Sequence, residues 1–132
     1  MLYLLKGDPC PLQRARIAGR RVYDNQVGIK LHARICLESQ QDNVPPFENI
    51  PLHLNVTFFM KLPHNPKLRK QYLKQHYHIF KPDADNLLKM LGDISNSILY
   101  RDDCLIAKIT AEKIYTDGEP RTEFTLTPLK WE

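Results

Sequence analysis

Residues 81–89 read KPDADNLLK, and this stretch is the basis of both the fold prediction and the functional prediction. Pro82 disfavours a helical conformation for the residue before it, so a helix should begin just after the proline, with Asp83 near its N-cap. From Asp83 to about Ile98 the apolar residues return every three or four positions, which predicts a helix. The leucines and isoleucines fall on one side of this helix, and we expect that side to pack against the core.

The opposite face of the predicted helix gathers polar side chains, because successive residues are about 100° apart. These side chains belong to Asp85, Asn86, Lys89, Asp93 and Asn96. Asp83 can lean over the Asp85 end of this face, and we expect the later pair Asp102-Asp103 to return towards it. Carboxylates with waters suit Mg²⁺, and a lysine suits a phosphate ester. The residues therefore predict metal-assisted phosphodiester hydrolysis.

Each acidic residue also has an ordinary structural interpretation. Asp83 alone would be an N-cap worth about 1 kcal/mol. Asp85 and Lys89 alone would be a surface pair at i,i+4 spacing, worth about 0.3–0.5 kcal/mol. Asp102-Asp103 alone would be a turn. Capping alone, however, does not explain a further amide and carboxylate on the same face, or an acidic pair downstream. The combination of these residues therefore favours the metal site.

Alternation of apolar and polar residues predicts the strands. They are expected at residues 2–6, 52–60, 105–112 and 122–127. The turn residues at 117–120 predict that the last two strands form a hairpin. A loop rich in Pro and Arg is expected over residues 8–21.

Residues 27–37 fit helical and strand spacing alike, and we interpret them as a helix that ends at the Asn/Asp/Pro cluster 42–46. Tyr23-Asp24-Asn25 is its expected N-cap. Residues 63–81 are polar, basic and aromatic, which predicts an exposed loop. The order of elements favours a single α+β domain over residues 1–132, a two-layer α/β sandwich with a small mixed or antiparallel sheet and two main helices.

Composition excludes several classes of protein. The 132 residues include 19 Lys+Arg and 15 Asp+Glu, and the formal net charge of +4 permits an anionic partner. No apolar run approaches the roughly 20 residues of a membrane span, and the N-terminus is charged too early for a signal peptide. We therefore expect a cytoplasmic protein. The three widely spaced cysteines fit a reducing compartment better than a disulfide framework.

The stretch 81–89, the following Asp93 and LYRDD at 99–103 closely resemble the RusA family of Holliday-junction resolvases. The pattern of that family is K-P-D-x-D-N-L-x-K, a following D, and a D-D pair that opens a strand. The match is specific, because the order of acids, amide and lysine is the same in both.

The resemblance extends outward from this motif and covers most of the chain. Residues 11–16 (PLQRAR) and 21–24 (RVYD) resemble the Pro/Arg-rich N-terminal loop of the family. Residues 112–115 and 119–123 resemble its closing hairpin, whereas residues 40–80 resemble it weakly.

The resemblance implies a small α/β subunit that works as a homodimer. Such enzymes cut four-way DNA junctions with Mg²⁺, or with Mn²⁺ in its place, by paired nicks in opposing strands. Asp83 and Asp85 match the first two essential aspartates of the family, and Lys89 matches its essential lysine. Asp103 matches the third aspartate better than Asp102 does. The implied metal ligands are Asp83, Asp85 and Asp103, and the two-fold symmetry of a folded junction suits a dimer with two equivalent sites.

Two basic groups flank the acidic motif and are candidate DNA-binding residues, with solvated surface as the alternative. They are Arg14, Arg16, Arg20, Arg21, Lys67, Arg69, Lys70, Lys74 and Lys81. Tyr72, Tyr77 and Phe80 are candidates for contact with unpaired bases or backbone, and local packing is the alternative. Histidines in the same stretch lack the further ligands that a zinc finger needs.

The leading prediction is a metal-dependent endonuclease that acts on branched DNA in recombination or repair, with Asn86 and Asp93 in supporting roles. One alternative is a branched-DNA-binding protein that does not cleave. The other is a domain that binds no nucleic acid and uses its acidic face for a structural cation such as Ca²⁺.

Overall fold

The computed structural model describes residues 1–13, 16–18, 21–23 and 26–131, with the backbone alone described over 16–18 and 21–23. The strands are β1 (Leu2–Lys6), β2 (Arg16–Ala18), β3 (Arg21–Tyr23), β4 (Leu52–Lys61), β5 (Ile106–Thr116) and β6 (Arg121–Pro128). The helices are α1 (Val27–Gln41), α2 (Pro66–Gln75) and α3 (Ala84–Ser95). This content confirms the predicted α+β class.

The main sheet is mixed, with the order β1-β6-β4-β5, and β2 pairs with β3 in a separate short ribbon. Strand β4 is antiparallel to β6 on one side and parallel to β5 on the other. The predicted hairpin of β5 and β6 is therefore wrong, because β4 lies between them. The turn at 117–120 reverses the chain as expected, but the two strands it joins pair with opposite edges of β4.

Parallel pairing of β4 with β5 requires a crossover connection, because a tight turn cannot join parallel neighbours. Residues 62–105 supply this connection, and they include α2, α3 and a short 3-10 turn at Asp103–Leu105. All four candidate carboxylates lie within this one crossover.

The core lies between one face of the sheet and the helices α1 and α3. Alternate residues of β4 are buried on that face, as the period of two predicted: Leu52, Leu54, Val56, Phe58 and Met60. The apolar side of α3 meets them with Leu87, Met90, Leu91 and Ile94. Burial of these side chains fixes the orientation of α3, so its polar side faces away from the core.

Two basic residues of α1 hold the C-terminal end of α3. Lys30 Nζ lies 2.8 Å from Asp93 Oδ2. Arg34 donates to the carbonyl oxygens of Asp93, Ile94 and Asn96 at 3.4, 3.3 and 3.1 Å. Cations near the last carbonyls of a helix stabilise that end.

Three local predictions need correction. Residues 63–81 are not simply a loop, because 66–75 form α2, whose N-cap Asn65 accepts from the backbone N–H groups of Lys67 and Leu68. Helix α3 ends at Ser95, three residues before the predicted end, because the chain leaves the helical conformation at Asn96 and forms a turn. Gln26 is the N-cap of α1; the Asp24 and Asn25 of its expected cap lie outside the described residues.

Candidate active site on the polar face of α3

The first two candidate carboxylates lie at the beginning of α3. Asp83 is the N-cap residue, as predicted, but its side chain makes no capping hydrogen bond. Asp85 lies in the first turn of the helix and is exposed. Both carboxylates are therefore available to a ligand.

Two lysines lie close to these carboxylates. Lys89 Nζ is 4.0 Å from Asp85 Oδ2, one helical turn further on. Lys81 Nζ is 3.5 Å from Asp83 Oδ2. The Asp83 side chain is 49% exposed and the other three are more exposed, so the pairs are weak and can rearrange when an anion or a cation binds.

Residues 99–101 return the chain to α3, and we call them the corner. Tyr100 is buried, and burial raises the pKa of its hydroxyl to about 12. The corner is tied to Phe47, whose N–H donates to the carbonyl of Leu99 at 3.0 Å and whose carbonyl accepts from the N–H of Arg101 at 2.9 Å. Asp102 follows at once, so these bonds fix where the acidic pair enters the site.

The side chain of Asp103 lies beside α3 at Gly92. A Cβ atom built on Gly92 would lie 3.6 Å from Asp103 Oδ2, an ordinary van der Waals distance, so this carboxylate lies directly beside the helix at Gly92. Gly92 is two turns beyond Asp85, about 10 Å along the axis on the same face. The structure thus brings Asp103 to the predicted face of α3, at the end remote from Asp83.

The two adjacent carboxyl groups share a hydrogen bond. It lowers the pKa of Asp102 and raises that of Asp103, so Asp102 is the first of the two to ionise. The same carboxylate of Asp102 raises the pKa of the Cys104 thiol. A cation near Asp103 would lower the pKa of this carboxyl group, because a positive charge favours the ionised carboxylate.

These oxygens suit a divalent cation without forming a closed cage. Among the described residues, no three Asp, Glu, His or Cys side chains stand close enough together to hold one ion. Mg²⁺ needs only one or two carboxylates and keeps several waters, which an exposed, open set of oxygen donors provides. These oxygen donors therefore fit Mg²⁺ or Mn²⁺, which keep several waters, better than they fit a metal ion whose ligands are all protein side chains.

The N-terminal loop, residues 9–13, lies beside Asp83. The N–H of Leu12 donates to the carbonyl of Asn86 at 3.1 Å. Buried Gln26 holds the same loop, since its amide donates to Pro11 O and accepts from Gln13 N, each at 2.9 Å. A cleft of about 470 Å³ lies between this loop and residues 81–86.

A larger cavity, about 760 Å³, lies between β1, α1 and α3, and its lining is mostly apolar. None of the four candidate carboxylates lines it. We therefore place the candidate site at the exposed polar face of α3 and not in the larger cavity.

Asp93, predicted on this face in a supporting role, is engaged with Lys30 of α1. Asn96 is the C-cap of α3, and its side-chain oxygen is buried without a hydrogen-bond partner. Asn86 is half-buried, and its backbone carbonyl holds the N-terminal loop. The structure thus places these three residues in the framework around the carboxylates.

The candidate DNA-binding residues divide into two groups. Arg14 and Arg20 lie outside the described residues, and Arg16 and Arg21 lie in β2 and β3, where only the backbone is described. The second group lies on α2 and the chain after it: Lys67, Arg69, Lys70, Lys74 and Lys81. All of this second group are exposed except Arg69, which is half-buried and donates to Pro63 O at 3.2 Å.

Lys113 is a residue that sequence reasoning missed. It lies on β5, and its Nζ donates to the carbonyls of Phe80 and Pro82, both at 2.8 Å. These bonds tie the chain just before Asp83 to the edge of the sheet. The only available signal was a lysine between Glu112 and Ile114 in a strand, which does not indicate its partners.

A mixed sheet covered by two helices, with exposed carboxylates and lysines along the outer face of one helix, defines a small α+β protein with an open, charged surface. The description "Endodeoxyribonuclease RusA" belongs to the family model that matches residues 6–127. The chain therefore belongs to the RusA family. A curated relative, "Crossover junction endodeoxyribonuclease rusA" of Lactococcus phage r1t, is 35% identical over 81 residues. That match covers 61% of this chain and 56% of the relative, so it spans little more than half of the relative's length.

No helix within the described part of the chain is long and apolar enough to cross a membrane.

Proposed function

We propose that this protein is a divalent-metal-dependent endonuclease that resolves four-way DNA junctions in recombination and repair. The observation that supports it most is membership of the RusA family over residues 6–127, together with carboxylates at both ends of one exposed helix face. The name of the phage relative, a crossover junction endodeoxyribonuclease, supports the choice of branched DNA as the substrate.

In this proposal Asp83, Asp85 and Asp103 surround the cation site and would bind Mg²⁺, or Mn²⁺ in its place, partly through its waters, since the three carboxylates do not meet at one point. The bound metal supplies an activated water and offsets the charge that develops on the phosphate. Lys89, one turn from Asp85, binds the scissile phosphate and stabilises its added negative charge. Asp102, which is adjacent to Asp103, orients that side chain. The N-terminal loop beside Asp83 and Asn86 positions the DNA strand.

The direct test uses a labelled four-way junction and a linear duplex of matched sequence, each incubated with Mg²⁺ or with EDTA. Paired nicks in the junction alone, dependent on Mg²⁺, are the expected result. Tight junction binding without nicks would favour a non-cleaving binding protein. Stabilisation by Ca²⁺ with no salt-sensitive DNA binding would favour a structural cation site.

Asp85→Asn tests the assignment of the site. We expect it to abolish cutting while junction binding is retained or strengthened, because a negative charge near the phosphates is removed. Asp117→Asn is the matched control, since Asp117 is an exposed aspartate in the turn between β5 and β6. Normal cutting by Asp85→Asn would contradict the assignment.

We also propose that the protein acts as a homodimer, since two equivalent sites are needed for paired cuts in opposing strands. An apolar row on α1 supports a contact surface: Val27, Leu31 and Ile35 are 60%, 58% and 56% exposed at i,i+4 spacing. Leu31→Asp should therefore produce a monomer in sedimentation equilibrium. Val44→Asp is the control, because Val44 is 52% exposed but lies in the loop after α1.

A further inference from the structure

Residues 76–80 (HYHIF) lie along the outer edge of β5, between α2 and the first candidate carboxylate. The N–H of Tyr115 donates to His76 O at 2.9 Å, and the N–H of His78 donates to Lys113 O at 3.0 Å. The segment is thus held to the sheet by backbone hydrogen bonds, like a short extra strand, and we call it the edge segment.

Side chains on its inner side pack against the sheet. The His78 ring lies 5.2 Å from the ring of Tyr115, and Tyr72 of α2 stacks on Tyr115 at 5.3 Å. Burial lowers the pKa of His78, and the neighbouring Lys113 lowers it further, so this histidine is neutral near pH 7. Lys113 also holds the segment's end through Phe80 O. The backbone of the edge segment is therefore fixed without DNA.

The outer side of the edge segment exposes apolar surface. Tyr77 is 57% exposed and Ile79 is 78% exposed. Phe80 remains 53% exposed at the end of the segment, although its ring also lies 5.9 Å from the ring of Tyr72 and 6.2 Å from that of His78. Three large apolar side chains within four residues, on a backbone that is already held, form a raised apolar patch. Such a patch on a soluble protein commonly marks a contact with a partner.

The charge around this patch indicates the chemistry of the partner. No Asp or Glu occurs between Glu48 and Asp83, and the same stretch contains six lysines and arginines, five of them in residues 67–81. A surface of this charge attracts a polyanion. Aromatic and aliphatic side chains among such cations stack on the faces of nucleic-acid bases.

A continuous duplex does not offer those faces, because its bases are stacked on each other. Bases at a branch point are the ones that can unstack at small cost. The patch is also close to the chemistry: Phe80 and Asp83 are three residues apart, so their Cα atoms are within about 11 Å. A strand cut beside Asp83 would bring its nearest bases to the edge segment.

We propose that Tyr77, Ile79 and Phe80 bind unstacked bases at the branch point and make the protein select junctions over linear duplex. The inference rests on the proposed function and extends it, since it assigns the discrimination between substrates to residues outside the carboxylate site. Lysines of α2 contribute affinity for both substrates in this scheme, whereas the apolar patch contributes only to junction binding.

The experiment measures binding in EDTA, so that no cutting occurs, to a four-way junction with 2-aminopurine beside the branch point and to a matched duplex. The variant is the double substitution Tyr77→Ala with Ile79→Ala. We expect its junction affinity to fall about tenfold and its duplex affinity to stay unchanged. The rise in 2-aminopurine fluorescence on binding should be lost with it.

Leu68→Ala with Leu73→Ala is the matched control, because these side chains are 37% and 44% exposed on α2 in the same acid-free stretch. It should bind both substrates as the wild type does. Tyr77→Phe keeps the ring and should keep junction affinity. If the double variant unfolds, the single Ile79→Ala variant replaces it, with a smaller loss expected.

An unchanged junction affinity, or an equal loss for junction and duplex, would overturn the inference and leave the proposed function standing if the wild type still cuts junctions. A wild-type protein that neither prefers nor cuts junctions would overturn the proposed function, and the inference would fall with it. The two failures are therefore distinguishable in one set of measurements.

Discussion

Helices α2 and α3 lie on either side of Asp83 along the chain, and they are held in place by different means. Helix α3 buries five residues and is oriented by the core, whereas α2 buries none. Helix α2 depends on its Asn65 cap and on the contact of Tyr72 with Tyr115. The difference indicates a division of labour in which α3 presents the carboxylates rigidly and α2 can vary in sequence without loss of the fold.

The largest expected effect concerns the polar side of α3. Asp103→Asn should lower the rate of junction cutting by about 100-fold or more, because it removes the negative charge of a proposed metal ligand beside Gly92. Asp102→Asn should lower it less than about tenfold. The melting temperature should change little in both, since both side chains are exposed. The reverse order of the two rates would assign the ligand to Asp102.

The next effect concerns the apolar side of the same helix. Leu91→Ala should lower the free energy of unfolding by about 2–4 kcal/mol, because Leu91 is only 3% exposed and its truncation leaves a cavity. Leu73→Ala on α2 should change it by about 0.5 kcal/mol or less. Urea denaturation measures both. Similar losses for the two variants would contradict the contrast between the helices.

The same contrast explains what the sequence could and could not predict. Helix α3 and strand β4 have strong apolar periods, and their sides were predicted correctly. Helix α2 was missed, because its two leucines are partly exposed and no buried side exists to produce a period. Cap residues Asn65 and Pro66 were the available signal.

Pairing between distant elements was harder to predict. A turn signal at 117–120 shows where the chain reverses but not which strand lies beside which, so the parallel β4–β5 pair was missed. The approach of Asp103 to α3 was expected from the motif, whereas its contact point at Gly92 depends on the buried corner at Tyr100. Likewise, the bonds of Lys113 to two carbonyls follow from tertiary packing alone.

A smaller effect should separate local from global stability. Asn65→Ala removes the two capping hydrogen bonds of α2 and should cost that helix about 1 kcal/mol. Amide hydrogen exchange over residues 66–75 should then be about fivefold faster. Global unfolding in urea should stay unchanged, since α2 buries no residue. Gln71→Ala is the control on the same helix, and a global loss of stability would show that α2 belongs to the core.

The smallest effect concerns the ion pair between α1 and α3. Asp93→Asn should cost less than about 1 kcal/mol, because the pair with Lys30 is partly exposed, and the cost should shrink in high salt. Cutting should be retained, in contrast to Asp103→Asn. Urea denaturation at two salt concentrations and the junction assay measure these outcomes. A large loss of cutting would instead place Asp93 in the reaction.

The crossover from β4 to β5 has a consequence for how such proteins diversify. Residues 62–105 contain the basic helix, the edge segment and every candidate carboxylate, while the sheet needs only the two ends of this insertion to stay in register. Lengthening a loop costs little free energy, about 0.6 kcal/mol for each doubling. The part before Asp83 can thus be shortened, extended or exchanged without altering helix α3 or the sheet. In the proposed function, such changes would alter substrate preference while the candidate carboxylates stay in place.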